Sequence, residues 1–168
     1  MANIQDIRAG GAPQRNYEFE VEILGSIAGG TLPILTQRVQ TATIPETAVE
    51  TFEINYKGRK TFWGGRDASG HTITITFWND ETNSTYRFFK EWIENGISNS
   101  VVGGGLSKDL YAAQMRITQF ATDSVTPTGV HFLDGVFPTN ISDISLNYDS
   151  SETQTVDVTF SFETNILQ

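Results

Sequence analysis

The segment GVFPTNISDISLNYDSSETQTVDVTFSFE, Gly135 to Glu163, decides the fold. It contains two runs of period 2. Ile144, Leu146 and Tyr148 alternate with Ser145, Asn147 and Asp149, and Val156, Val158, Phe160 and Phe162 alternate with Asp157, Thr159, Ser161 and Glu163. Such alternation sends an apolar set to one face of a strand and a polar set to the other. Asp149, Ser150, Ser151 and Glu152 can turn the chain between them, so the stretch predicts an antiparallel hairpin over Ile144 to Phe162.

The rest of the chain extends the same pattern. Tyr17, Phe19, Val21 and Ile23 alternate with Glu18, Glu20 and Glu22, and Ile73, Ile75 and Phe77 alternate with Thr72, Thr74 and Thr76. Further strands are predicted at Gln37 to Thr43, Val49 to Asn55, Leu110 to Phe120 and Val130 to Phe137, the last broken by Pro138. Both faces of Val49 to Asn55 look usable, as in a strand covered by another subunit. Tyr56 to Gly70, with Trp63 in its middle and Lys57, Arg59, Lys60 and Arg66 around it, reads as a glycine-punctuated basic loop suited to an acidic neighbour. One helix is predicted over Ser84 to Asn95, capped by Asn83 or Ser84 and ended by Gly96. Its Tyr86, Phe88, Phe89, Trp92 and Ile93 form a wide apolar face for core packing. The fold class is mainly β: a barrel or sandwich of antiparallel strands with one flanking α-helix. Residues 1–15 read as a flexible N-terminal arm and 16–168 as a single domain.

Composition narrows the function. There is no cysteine, which excludes a disulfide framework, a thiolate nucleophile and Cys-ligated metal. His71 and His131 are far apart and gather no ligand set. No Gly-x-Ser-x-Gly elbow is present. Asn147, Asp149 and Ser151 have calcium-loop spacing but lack the central glycine and the later Glu. Gly105-Leu106-Ser107-Lys108 has the wrong glycine-to-lysine spacing for a phosphate loop, and no strand leads into it. Glu18, Glu20 and Glu22 show no sign of the burial that would split their pKa values for acid–base work. No cofactor is expected. Met1 to Arg8 opens no secretory signal and no stretch reaches the length of a membrane span, so a protein folded in a cytoplasm is expected.

Net charge is −9, from 20 acids and 11 bases. A nucleic-acid binder needs a basic patch to displace counterions, and this chain has none of that kind. The four lysines, Lys57, Lys60, Lys90 and Lys108, fall in predicted loops or in the helix. The strands therefore lack a common guard against edge-to-edge pairing, which points to edges that pair between copies.

Taken in order, these residues resemble the tail tube proteins of contractile-tailed bacteriophages. Tyr17 to Ile23 is similar to that family's first strand. Gly58-Arg59-Lys60, the later Gly-Arg-Asp, and Thr74-Ile75-Thr76-Phe77-Trp78-Asn79-Asp80-Glu81 resemble its central strand and the approach to its helix. The helix with Phe88, Phe89 and Trp92 is similar to its single helix. The most specific pieces are Phe137-Pro138-Thr139-Asn140, Leu146-Asn147-Tyr148-Asp149-Ser150, and Gln154-Thr155 with Val158-Thr159.

The resemblance implies six copies in a ring, strands joined into an inner barrel, and rings stacked head-to-tail into a hollow tube. It implies a contractile sheath around the tube, a baseplate beneath it, a tape measure protein within it, a terminator above it, and genomic DNA passing through without being held. The place implied is the virion tail, assembled in the host cytoplasm. Six copies at −9 give about −54 per ring, a field that a narrow pore focuses. Candidate lumen or surface acids are Glu18, Glu20, Glu22, Glu46, Glu50, Glu53, Asp149, Glu152 and Asp157. Candidate inter-subunit contacts are Arg8, Lys57, Arg59, Lys60, Trp63, Arg66 and Lys108, and the segments expected to stack rings are 1–15, Thr47 to Arg66 and Ile97 to Asp109. A baseplate tube initiator or the tube of a phage-derived injection system would share the fold, and the compact single-domain length favours the main tube. A carbohydrate-binding module would need Trp63, Trp78 and Trp92 on one flat platform, which their predicted places in a loop, at a strand end and on a helix do not make.

Overall fold

A computed structural model describes residues 14–25, 33–98, 106–144, 146, 148 and 153–168. Nine strands are found among them: β1 Phe19–Leu24, β2 Val39–Ala42, β3 Val49–Tyr56, β4 Arg59–Asp67, β5 Thr72–Trp78, β6 Ala113–Phe120, β7 Pro127–Ile141, β8 Thr155–Ser161 and β9 Thr164–Leu167. The expected helix is present as α2, Ser84–Glu91, continued by a π-helical turn over Trp92–Ile97. Two four-residue helical turns accompany it, α1 Pro33–Thr36 and α3 Lys108–Tyr111.

Seven strands form one antiparallel sheet in the order β1-β6-β7-β8-β5-β2, with β9 added on β7. The long β7 changes partner along its length. Residues up to Val136 pair with β6, and Phe137 to Ile141 pair with β8. The chain bends between the two at Gly135, whose φ is +66°. A Cβ there would stand 2.9 Å from the Glu163 carboxylate, so both conformation and space call for glycine. The sheet thus folds into two layers, β1-β6-β7-β9 and β2-β5-β8 with the end of β7, a strand exchange typical of barrel corners.

The core lies between these layers. Val21 and Ile23 of β1, Met115 and Ile117 of β6, Leu133 of β7, Ile73, Ile75 and Phe77 of β5, and Val156, Val158 and Phe160 of β8 are all buried. Helix α2 closes the core through an aromatic cluster, with the Phe89 ring 4.9 Å from Phe77 and 5.7 Å from Phe160 and the Trp92 ring 6.3 Å from Phe160. Losing one such ring costs about 3–5 kcal/mol, whereas a helix cap is worth about 1 kcal/mol. Packing therefore fixes this helix, and its capping is secondary.

Several sequence expectations are corrected. Ile144, Leu146 and Tyr148 form no strand, because β8 pairs instead with the end of β7, and Leu146 and Tyr148 are exposed. Pro138 does not break β7. It occupies a strand with no partner on its other side, where a missing N–H costs no ladder bond, and a bulge follows it. Tyr56 to Asp67 is not a loop, and Trp63 is not in one: β3 and β4 form a separate two-stranded hairpin. Its turn, Lys57-Gly58, has φ of 49° and 77°, the two left-handed residues that a tight two-residue hairpin requires. Lys60 consequently lies within β4, so lysine is not absent from the strands. Asp80, rather than Asn83 or Ser84, supplies the cap of α2, its carboxylate accepting the Ser84 N–H at 2.7 Å.

Asp80 also accepts the hydroxyls of Thr82 and Ser84, and Arg38 bridges it to Ser84 and Thr85. The Thr82 and Ser84 hydrogen bonds hold its carboxyl far below the usual carboxylate range. A depressed folded pKa gives stability that is present above the unfolded value and lost as pH falls. The thermal midpoint should therefore fall as pH is lowered below about 4. Asp80→Asn should flatten that dependence while lowering the midpoint at pH 7, as read by circular dichroism.

Candidate assembly surfaces

Three surfaces carry the residues that the sequence singles out. The first is the outer face of β2, β5 and β8. Alternation buries Ile73, Ile75, Phe77, Val156, Val158 and Phe160 on one side and leaves Thr41, Thr72, Thr74, Thr76, Asp157, Thr159 and Ser161 on the other, with Trp78 at the end of β5 on that same side. Cross-strand pairing sets Thr72 opposite Ser161, Thr74 opposite Thr159 and Thr76 opposite Asp157. The hydroxyls link into rungs: Thr41 donates to Thr76 at 2.9 Å, Thr76 to Asp157 at 2.7 Å, and Thr74 and Thr159 lie 3.2 Å apart. The three strands place no lysine or arginine on this face, and Asp157 is its one charge.

The second surface is the hairpin of β3 and β4, exposed along its whole length on both sides. Directly paired residues share a face. Phe52 opposite Trp63, Ile54 opposite Thr61 and Tyr56 opposite Arg59 make one face mainly apolar. The other face carries Asn55 and an ion pair of Glu53 with Lys60 at 3.1 Å. Residues 49–67 hold four bases (Lys57, Arg59, Lys60, Arg66) and three acids (Glu50, Glu53, Asp67), a net +1, so the rest of the chain, −9 less +1, carries −10. Lys57 lies over the Tyr56 ring at the tip. At the base, the Ser69 hydroxyl and the Ser69 N–H both donate to Asp67 and hold its carboxyl below its ordinary value, and the Ala48 N–H donates to that hydroxyl.

The third surface is the outer side of β1. Glu22 forms an ion pair with its cross-strand partner Arg116, Glu18 accepts the Ser124 hydroxyl at 2.6 Å, and Glu20 is exposed. Glu46 lies beside Gly70 in the link leading to the hairpin. Lys108 pairs with Glu163 at 2.5 Å and covers the Phe137 ring. The candidate acids thus fall on separate surfaces: Glu18, Glu20 and Glu22 on β1, Glu50 and Glu53 on the hairpin, Asp157 on the threonine face. Arg8, Asp149 and Glu152 lie outside the described residues, as do most of the N-terminal arm and the glycines 103–105. The threonine rows were audible in the alternation of β5 and β8. The hairpin region is an expected contact surface, but its division into an apolar and a polar face depends on the β3–β4 pairing, which the expected loop does not provide.

No catalytic geometry is found among the described residues. Among the described residues no three His, Asp or Glu side chains gather as a metal site, and no helix is long and apolar enough to cross a membrane. His131 meets Asn165, and His71 packs edge-on against Phe162.

The chain belongs to the phage tail tube protein family, whose model matches residues 16–168. It is 29% identical over 150 residues to tail tube protein gp19 of Enterobacteria phage T4, an alignment spanning 88% of this chain and 86% of that protein. Its fold is similar to the sheath/tube terminator of PVC, an extracellular contractile injection system, in the extended state, with a TM-score of 0.71, 16% identity, and coverage of 94% and 98% of the two chains. It is likewise similar to a chain of the PVC sheath-tube complex, with a TM-score of 0.65, 14% identity, and coverage of 100% and 99%. The protein is a structural component of a phage tail.

Since no described residue covers the hairpin's apolar face, Phe52→Ser with Trp63→Ser should change monomer stability by no more than about 0.5 kcal/mol in denaturant melts. The same variant should lose higher assembly in light scattering. A large drop in monomer stability would contradict this separation.

Proposed function

We propose that six copies of the chain close into a ring and that rings stack into the inner tube of a contractile tail, with the threonine face of β2, β5 and β8 lining the bore. The observation that carries this reading is the base-free hydroxyl face bounded by two unlike open edges, β2 and residues 137–141 of β7. Each edge has a hydrogen-bonded strand on one side only. Copies joined edge to edge in one rotational sense make a closed wall with the same face inward throughout.

Such a wall suits DNA that must pass without being held. Affinity for a duplex comes from lysine and arginine displacing counterions, and this face supplies no base: it carries hydroxyls, one Asp157 per copy and, at the end of β5, Trp78. Helix α2 packs against the opposite side of the same strands, so it points away from the bore toward a surrounding sheath. The hairpin reaches from one ring to the next, its excess of base meeting the acidic body of another copy and its Phe52, Ile54, Tyr56 and Trp63 supplying apolar contact. Lys57, Arg59, Lys60 and Arg66 belong to that contact. Partners in this reading are the sheath, a tape measure protein during assembly in the host cytoplasm, the baseplate below and the terminator above.

Purified protein should form rings and hollow tubes in negative-stain micrographs. Those tubes should release a short duplex at physiological salt. Thr74→Lys with Thr159→Lys adds two bases per copy to the bore and should make the tubes retain the duplex in a salt-dependent way. Dispersed monomers at high concentration would overturn the tube reading. Unaltered duplex release by assembled Lys variants would overturn the assignment of the bore.

A further inference from the structure

We infer that Leu146 and Tyr148 of one copy insert into the groove between β1 and β2 of the next copy around the ring, and that this contact closes the ring. The inference rests on the ring reading above. Leu146 is 83% exposed and Tyr148 fully so, the two most exposed large apolar side chains among the described residues. They follow Ile144, which packs on the core, and so stand out from an anchored chain. An apolar pair presented in this way needs a pocket on a partner.

The groove that fits is where the folded sheet comes closest to closing on itself without doing so. Its two ends, β1 and β2, share no ladder hydrogen bonds. A cleft of about 560 Å³ runs between them, lined on its apolar side by Tyr17, Phe19, Val21 and Val39, with Thr36 and Gln37 at one end. It continues toward Ala42 and Ile44.

Strand register brings the pair to this place. Ser142 donates its N–H to Asp157, Asp157 lies opposite Thr76, and Thr76 opposite Thr41. The chain beyond Ser142 therefore climbs toward the level of Trp78, whose N–H donates to Arg38. Rotation about a ring axis does not shift a residue along that axis. When residues 137–141 of one copy meet β2 of the next, Leu146 and Tyr148 thus arrive beside residues 36–39, within the tilt of the strands. Backbone pairing alone is a poor closure here. Pro138 has no N–H to offer, and both edges carry a bulge, between Pro138 and Asn140 and between Val39 and Thr41. Side chains must supply the remaining contact. The interface is head-to-tail, knob on one copy and pocket on the next, the arrangement that rotation closes into a ring.

The absence of native cysteine allows a direct test. Protein carrying Gln37→Cys is mixed with protein carrying Leu146→Cys and treated with a short bismaleimide, so that a product joining the two can arise only between copies. The inference predicts a cross-linked dimer under assembling conditions and its loss at dilutions where light scattering shows monomers. It also predicts that Leu146→Asp with Tyr148→Asp keeps the monomer's circular dichroism spectrum while rings disappear from micrographs. With wild-type protein forming tubes, either a missing cross-link or normal rings from the Asp variant overturns the inference and leaves the tube reading standing. Failure of the wild type to assemble overturns both.

Discussion

The structure depends on one packing constraint, the clamp of Phe77, Phe89, Trp92 and Phe160 that fastens helix α2 to the inner side of β5 and β8. All four rings are buried. Once the clamp commits the phenylalanines of those strands to the core, strict alternation commits their threonines to the other face. The helix and the hydroxyl surface are therefore held on opposite sides of the same strands. In the proposed tube, that single allocation sets the hydroxyl face toward the bore and the helix toward the sheath.

The second constraint is the bend at Gly135. By exchanging β6 for β8 as its partner, β7 belongs to both layers and gives the second layer an outer strand with one side unpaired. A straight β7 would keep its pairing with β6, and no edge would remain opposite β2. The proposed ring thus depends on one left-handed residue, Gly135. The hairpin of β3 and β4 is independent of both devices and, among the described residues, joins the body through its base, where Asp67, Ser69 and Ala48 are hydrogen-bonded.

Legibility in the sequence followed burial. β1, β5 and β8 could be read because one face of each is packed and the other is not, and α2 because its aromatics recur at helical spacing. The hairpin could not, because exposure on both faces removes the pressure for alternation and Gly64-Gly65 imitates a loop. The end of β7 was hidden by Pro138, whose meaning depends on which strand lacks a neighbour, and β9 is too short to show a period. Ile144 to Tyr148 misled in the opposite direction: its alternation is genuine, yet Leu146 and Tyr148 are exposed. Apolar periodicity records what becomes buried, including what a partner buries, and the ring contact proposed above gives this period-2 run that second reading. The acids misled in their grouping, since nearness in sequence placed Glu50 and Glu53 on the hairpin and left Asp157 alone among hydroxyls.

The central claim is which face of the chain the bore sees. A cryo-EM reconstruction of tubes assembled from the purified protein answers it directly. The account predicts Thr74, Thr76, Asp157 and Thr159 lining the channel with α2 on the outer circumference. A channel lined by α2 or by the Glu20 and Glu22 face of β1 would contradict it.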